Sequence, residues 1–393
     1  MTAATPRSSS PRDWRFEGGR VLRDGRLCDA DLALADGHIA DAAAADARLV
    51  DARGLLVLPG IVDVHGDAFE RQVMPRPGVT FDLVTALLDT DRQLVANGIT
   101  TAFHGVTWSW EPGLRGAANA RALLAALERL GDDLAADTRY HLRHETFNLD
   151  GEAEILDWLA SGRVGCLAFN DHMAGTLKER SRPEKIGKMI ERSGLDREDF
   201  MRLVDVVHGR RDDVPASIER LAAAARANGI AMLSHDDMTP DRRRWFRSLG
   251  VAIAEFPIDE ATAREAVSAG EATVFGAPNV LRGGSHTGCP SAAEMVRHGL
   301  CTILASDYYY PSLAAAPFRL EADGAADFAA AWALVSSNPA AAMGLADRGR
   351  LERGLRGDLV LIDPRGPGGS PRVVATFVAG RLVHLTDAAR LAN

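Results

Sequence analysis

The sequence predicts a (β/α)8 barrel joined to a small β-sandwich built from both ends of the chain. Three observations lead there. Eight short apolar or β-branched runs alternate with helical patterns through the middle of the chain, the texture of a parallel barrel. Both ends instead carry strands separated by Gly and Asp turns. Nearly every central run also stops at a His, Asp or Glu, and a (β/α)8 barrel collects its chemistry at the C-terminal ends of its strands. The expected division is a flexible tail over 1–12, a sandwich from 13–58 with 350–393, and a barrel over 59–349.

The elements follow in order. The first twelve residues are polar and rich in Pro and Ser. They lack the apolar core of a signal peptide, so a short tail on a cytoplasmic protein is expected. Arg15–Leu22, Ala33–Ile39 and Leu55–Leu58 read as strands, with Asp36-Gly37 as a hairpin signal. Pro59-Gly60 interrupts the chain, and residues 61–64 open the barrel. The later strands are expected at 98–103, 138–144, 164–169, 229–234, 250–255, 272–276 and 301–305, with helical patterns such as 121–130 and 218–227 between them. The connection over 173–215 is unusually long and rich in charge, including Lys178, Arg180, Arg182 and Arg192. It reads either as a lid over the site or as a solvated helical excursion. Residues 358–362 and 373–384 return to strand texture, turning at Ala379-Gly380-Arg381. A doubly wound open sheet is the alternative fold, but the chain has no Gly-x-Gly-x-x-Gly or Walker-type loop to support it.

Composition narrows the function. Of 393 residues, 46% are hydrophobic and 25% charged, an ordinary soluble mix. No apolar run approaches the roughly 18 residues that span a bilayer, so no membrane partner is expected. The net charge of −9 argues against a nucleic-acid binder, which would show a basic face. The four cysteines, Cys28, Cys166, Cys289 and Cys301, are scattered and read as reduced and structural.

The strand ends carry the chemistry. Side chains alternate along a strand, so His65 and Asp67 point the same way and can chelate a divalent cation together. His104, His144-Glu145, Asn170-Asp171-His172, Ser234-His235-Asp236-Asp237, Glu255 and Ser306-Asp307 end later strands. Gathering so many imidazoles and carboxylates is costly unless something compensates, and divalent metals are the obvious candidate. The number of ligands suggests two ions. His65, Asp67 and Asp307 would hold one, His172 and His235 the other, with Glu145 bridging. Two ions can acidify a shared water and polarise the bond it attacks. Asp307 would then act as general base and later proton donor, or cap a helix. Glu255 and Asp236 would either bind metal or orient the residues that do. Zn, Mn or Fe(II) suits this mixed ligation.

The stretch Val57-Leu-Pro-Gly-Ile-Val-Asp-Val-His65 with Asp67, the histidines at later strand ends and the final Ser306-Asp307 resemble the amidohydrolase superfamily. More narrowly, the chain resembles the branch of α-D-ribose 1-methylphosphonate 5-triphosphate diphosphatases of the carbon–phosphorus lyase pathway. The matching stretches are His65–Arg71, Met74-Pro-Arg-Pro-Gly78, His141-Leu-Arg-His-Glu145, Asn170-Asp-His172, Ser234-His-Asp-Asp237, Gly276–Gly288 and Leu304-Ala-Ser-Asp-Tyr308. The chain departs from that branch at Gly66, where Thr is usual, at Met173-Ala174, where Thr-Pro is usual, and at Cys289, where Asn is common. The resemblance implies hydrolysis of a ribosyl triphosphate: water attacks phosphorus, pyrophosphate leaves and a 5-phosphate remains. It implies a phosphorylated-sugar substrate held by cations beyond the metals, for which Arg71, Arg76, Arg282, His286 and Lys178 are candidates. His104 and His286 would contact the leaving group or pack structurally. Dimers are frequent in the superfamily, so a homodimer is one expectation. A C–N hydrolase, such as a deacetylase, cyclic amidase or deaminase, is the competing reading on the same metal scaffold.

Overall fold

The computed structural model describes residues 13–76, 78–180, 182–285, 288 and 290–392. The tail expected over 1–12, His286 and Cys289 lie outside them. Eight parallel strands follow one another in chain order: Ile61–Gly66, Ile99–Trp108, Asp137–Glu145, Cys166–Asn170, Ala231–His235, Ile253–Glu255, Ala272–Gly276 and Ile303–Ala305. The last strand meets the first just beyond its end. Asp307 N–H donates to the His65 carbonyl, and Asp67 N–H donates to the Asp307 carbonyl, both at 2.9 Å. The barrel expected from the sequence is therefore present and nearly closed.

Four strands begin two or three residues later than their apolar runs suggest, at Cys166, Ala231, Ile253 and Ile303. The cause lies in how the preceding helices end. Gly162, Gly229 and Gly250 sit at φ 70°, 66° and 87°, the left-handed region in which glycine terminates a helix. Cys301 is held back because its N–H and that of Leu300 both donate to the Met295 carbonyl.

Alternation explains why the barrel has an apolar floor and a polar mouth. Phe103, Ala168, Leu233, Ile253 and Ala305 belong to one buried cluster. Two residues further along three of these strands stand Asn170, His235 and Glu255, on the same face at the C-terminal end, and Asp307 follows two residues beyond the eighth.

Two further sheets draw on both ends of the chain. One holds Trp14–Glu17, Leu32–Ala35, His38–Ala40, Arg48–Asp51 and Leu391–Ala392. The other holds Arg20–Arg23, Arg26–Asp29, Leu56–Pro59, Leu359–Asp363, Arg372–Val378 and Arg381–Leu385. Trp14, Phe16, Leu34, Val57, Leu361 and Phe377 form a core between them. The Phe377 ring meets Trp14 and Phe16 edge-on, with centroids 5.1 and 5.0 Å apart, the arrangement aromatic quadrupoles favour. Only Gly60 separates this sandwich from the first barrel strand. A Cβ there would collide with the Thr100 side chain, so no larger residue fits the crossing.

The long connection folds into three helices, Met173–Glu179, Pro183–Ser193 and Arg197–His208. They bury a cluster of their own around Met173, Ile186, Phe200 and Val204. Between this cap and the barrel lies a cavity of about 340 Å³ that reaches Glu145 and His172. The Arg192 guanidinium pairs with the buried Glu111 across it. Among the described residues, no helix is long and apolar enough to cross a membrane.

His104 and His144 are packing residues. His104 lies against the Phe69 ring at 5.1 Å, and neither ring nitrogen of the buried His144 has a partner among the described residues. Burial pulls the pKa of each down to about 4. The unfolded chain binds these protons near pH 6.5, whereas the folded chain resists them until about pH 4. Stability is therefore complete above about pH 6.5 and is lost as pH falls, by up to about 3 kcal/mol per histidine at pH 4. In urea melts, the double variant His104→Phe/His144→Phe should lose markedly less stability between pH 6.5 and 4 than the wild type. Equal slopes would disprove the assignment.

Candidate metal centre

The mouth of the barrel is organised by one carboxylate. Glu255, at the end of the sixth strand, is fully buried. Its Oε1 accepts a hydrogen bond from His65 Nδ1 and its Oε2 accepts one from His235 Nδ1, each at 2.7 Å. The two imidazoles stack 5.6 Å apart with planes 21° from parallel. Burial opposes ionisation of Glu255, but the imidazoles of His65 and His141 hold it well below the usual carboxylate range. Because each Nδ1 is engaged, each Nε2 is left with its lone pair for another partner.

Glu145 does the same for His172. Its Oε1 accepts from His172 Nδ1 at 2.6 Å, and its charge raises the pKa of His172 to about 10. His172 Nε2 and His235 Nε2 then each lie 3.7 Å from Asp236 Oδ2. On the opposite side, His65, Asp67 and Asp307 bring one ligand atom apiece within 4.8 Å of one another. His65 also belongs to a deeper group with His141 and Glu255, where His141 Nε2 is buried without a partner among the described residues.

Backbone geometry fixes these positions. Asp236, Phe256 and Asp307 follow directly on strands five and six and two residues beyond strand eight, with φ of 55°, 53° and 54°. This conformation is costly for non-glycine residues, typically about 1–3 kcal/mol at sparsely populated angles. Their amides nonetheless continue the ladder: Asp236 N–H donates to the Glu255 carbonyl at 2.9 Å and Phe256 N–H to Val274 at 3.0 Å. The Phe256 ring packs edge-on against His65 at 5.1 Å and His235 at 5.4 Å, closing the site from one side. Beneath His65, the buried Asp63 carboxylate accepts from the Ser306 hydroxyl and from Ser306 N–H. This seam leaves no room at Gly66, where a Cβ would come within 2.8 Å of Asp63 Oδ2 and 2.9 Å of Ser306 Oγ.

The donor set fits divalent metal. Imidazole nitrogens oriented by carboxylates and convergent carboxylate oxygens are the ligands such ions take. The groups His65/Asp67/Asp307 and His172/His235/Asp236 each offer three of them.

The structure brings together five of the six expected ligands in these groups: His65, Asp67, His172, His235 and Asp307. Glu145 stands apart, on the Nδ1 side of His172, and Asp236 occupies the ligand position beside the two imidazoles. Asp307 is mostly buried, which raises its pKa. Of the expected substrate residues, Arg71 and Arg282 meet at Tyr308, next to Asp307. The Arg71 guanidinium lies 5.9 Å over the ring, and Arg282 Nη1 donates to the hydroxyl at 3.2 Å. Arg76 is exposed in a turn whose backbone bridges to Val79, and Lys178 lies on the first cap helix. No described contact joins either to the ligand groups. His286 lies outside the described residues.

Sequence reasoning passed over His141 and Arg143 as site residues. Both share a strand face with Glu145, at spacings of four and two, and that alternation was the available signal.

Comparison with known proteins agrees with this architecture. The Amidohydrolase family profile matches residues 201–384. The α-D-ribose 1-methylphosphonate 5-triphosphate diphosphatase of Escherichia coli (strain K12) is 32% identical over 315 residues, covering 78% of this chain and 82% of that protein. This chain belongs to the amidohydrolase superfamily. Among solved structures, molinate hydrolase superposes with a TM-score of 0.63 at 13% identity, covering 95% of both chains. The dihydropyrimidinase of Brevibacillus agri NCHU1002 gives 0.63 at 12% identity, again covering 95% of both. At such identities these two report on the amidohydrolase fold alone.

Because one carboxylate orients two ligands, Glu255→Gln should weaken divalent-metal binding about 10- to 100-fold. Competition with a chromophoric chelator would measure it. Unchanged affinity would mean that His65 and His235 hold their orientation without Glu255.

Proposed function

We infer that this chain hydrolyses α-D-ribose 1-methylphosphonate 5-triphosphate or a close ribosyl triphosphate, releasing pyrophosphate and leaving the 5-phosphate. The observation that carries this reading is a pair of three-ligand groups at one barrel mouth with arginines beside Asp307. The activity for which the Escherichia coli relative is named supports it.

His65, Asp67 and Asp307 would hold one divalent ion and His172, His235 and Asp236 a second. Such ions make water more acidic and neutralise charge on a phosphoryl group. The chain supplies the rest. Asp307, its pKa raised by burial, accepts a proton from the attacking water. The water oxygen bonds to the α-phosphorus as the bond from that phosphorus to the bridging oxygen breaks, and pyrophosphate departs with that oxygen. Glu255 and Glu145 keep three imidazoles aligned throughout. A triphosphate carries about four negative charges, and Arg71 and Arg282 supply planar donors for it at the rim. The same ligand groups would suit a C–N hydrolase, but a neutral amide gives those arginines nothing to bind.

The test is a pyrophosphate-release assay on ribosyl and nucleoside triphosphates beside a panel of amides and hydantoins. Pyrophosphate release is expected from the ribosyl triphosphate, reduced about 10²- to 10⁴-fold in Asp307→Asn. Turnover of an amide with no pyrophosphate from any triphosphate would overturn the reading.

A further inference from the structure

One cation already stands inside the candidate centre. Arg143 projects from the third barrel strand, on the face that carries His141 and Glu145, and is only 5% exposed. Its Nη1 lies 3.3 Å from Asp67 Oδ2 and its Nη2 lies 3.4 Å from His235 Nε2. It therefore touches one member of each three-ligand group. Its Nε is buried with no partner among the described residues. The neighbouring strand makes room for the stem with Gly105, where a Cβ would stand 3.2 Å from Arg143 Cδ and 3.5 Å from His65 Nε2.

The chemistry of this position is unusual for a metal site. A guanidinium keeps its proton and has no lone pair to offer a metal. A carboxylate between the two groups would join two ions. Arg143 joins nothing, and it competes for the His235 Nε2 lone pair that the second ion needs. Glu145, on the same strand face, is turned away onto His172 Nδ1. An ion placed at His172, His235 and Asp236 would thus sit beside a fixed positive charge and be held less tightly than its donors alone would hold it. Burying a guanidinium here would work against metal binding without return unless an anion comes to share it. Four carboxylates lie in its field (Asp67, Glu145, Asp236 and Asp307), but Glu145 is committed to His172 and the other three are placed to bind metal. Once metal takes Asp67, the planar fork is left to a new acceptor, and two non-bridging oxygens of a phosphoryl group match its geometry.

We propose that Arg143 is the built-in third cation of this centre: it keeps the two ligand groups unbridged by protein and binds the oxygens of the phosphoryl group under attack. This rests on the phosphoryl-transfer reading above and names the group that would make the site selective for it. As the bond to pyrophosphate breaks, the guanidinium faces the charge spread over the non-bridging oxygens. The proton from water goes to Asp307, and Arg143 takes none.

The experiment uses full-length Arg143→Gln and Arg143→Lys. Zinc titration against a chromophoric chelator should show the weaker of the wild-type sites tightened about tenfold or more in Arg143→Gln, on the scale of other changes next to metal ligands. Arg143→Lys, which keeps the charge, should stay near the wild type. Calorimetric binding of inorganic tripolyphosphate to the zinc-loaded protein should weaken at least about tenfold in both variants, because Lys lacks the fork. If the wild type releases pyrophosphate, kcat should drop about 10²- to 10³-fold in both. Unchanged zinc affinity in Arg143→Gln, or unchanged tripolyphosphate binding in both variants, would overturn the proposal. Failure of the wild type to cleave any triphosphate sinks the functional reading alone, since the zinc and tripolyphosphate arms still report on Arg143. Should Arg143→Gln fail to fold, Arg143→Lys decides on tripolyphosphate binding.

Discussion

The site depends on a single buried acid held between two imidazoles. Glu255 lies at the end of one of the shortest barrel strands and is entirely shielded from water. A carboxylate in that position is tolerable only while hydrogen bonds and opposing charge replace its hydration, and removing one partner of such a pair commonly costs about 3–5 kcal/mol. The two Nδ1–H donors meet that requirement from opposite sides of the barrel, on strands one and five. The hydrogen bonds that satisfy Glu255 therefore also set the orientation of two metal-type ligands. Stability and function share the same hydrogen bonds, so neither imidazole can turn without stranding the charge.

Around that pivot, the barrel concentrates strain where chemistry is expected. Six described non-glycine residues have positive φ, and three of them, Asp236, Phe256 and Asp307, sit just after barrel strands at the mouth. The others, Asp24, Asp36 and Ala379, lie in turns of the sandwich sheets. Strained backbone persists only where the surroundings over-determine it. At the mouth they do: each of the three amides is locked into the sheet ladder, and Asp307 also closes the barrel against His65. The Asp63–Ser306 pair completes the seam from below and fills the space that any side chain at Gly66 would need. Glycine between His65 and Asp67 is thus a packing requirement of this chain, not a relaxed position.

The barrel was legible in the sequence because eight apolar runs, spaced by helical patterns and ending in polar residues, fit few folds besides a parallel barrel. His65, Asp67, His172, His235 and Asp307 could be picked out for the same reason: they are ligand-type residues at strand ends. What could not be read was the partition of labour among the acids. Glu145, Asp236 and Glu255 look alike in sequence, each at or next to a strand end. Which binds and which orients depends on small differences in distance and on which nitrogen of a histidine each one meets. Arg143 was invisible for a different reason. An arginine inside a strand reads as a surface residue by composition, and only its parity with His141 and Glu145 places it in the mouth. The helical cap over 173–215 was legible as charge and length, but its own core of Met173, Ile186, Phe200 and Val204 is spaced across three helices and shows no single stripe.

The solved structures that share this fold include molinate hydrolase and a dihydropyrimidinase, so the architecture does not choose the bond that is cut. The choice has to come from what surrounds the ligands. Carboxylates and imidazoles suffice to hold metal for attack on an amide, because the substrate there is neutral and the charge that develops is small. A triphosphate arrives with its charge already present, and a site dominated by acids would repel it. Reversing that field requires fixed cations close to the ligands, within a distance that salt does not screen. Arg143 meets the condition from inside the barrel, and Arg71 and Arg282 from its rim beside Asp307. The arrangement also accounts for how a protein with a net charge of −9 could accept a polyanion. The overall charge acts over a screened distance, while a buried guanidinium acts within a few ångströms in a medium of lower dielectric. On the proposed reading, local field and not total charge decides which substrate reaches the centre.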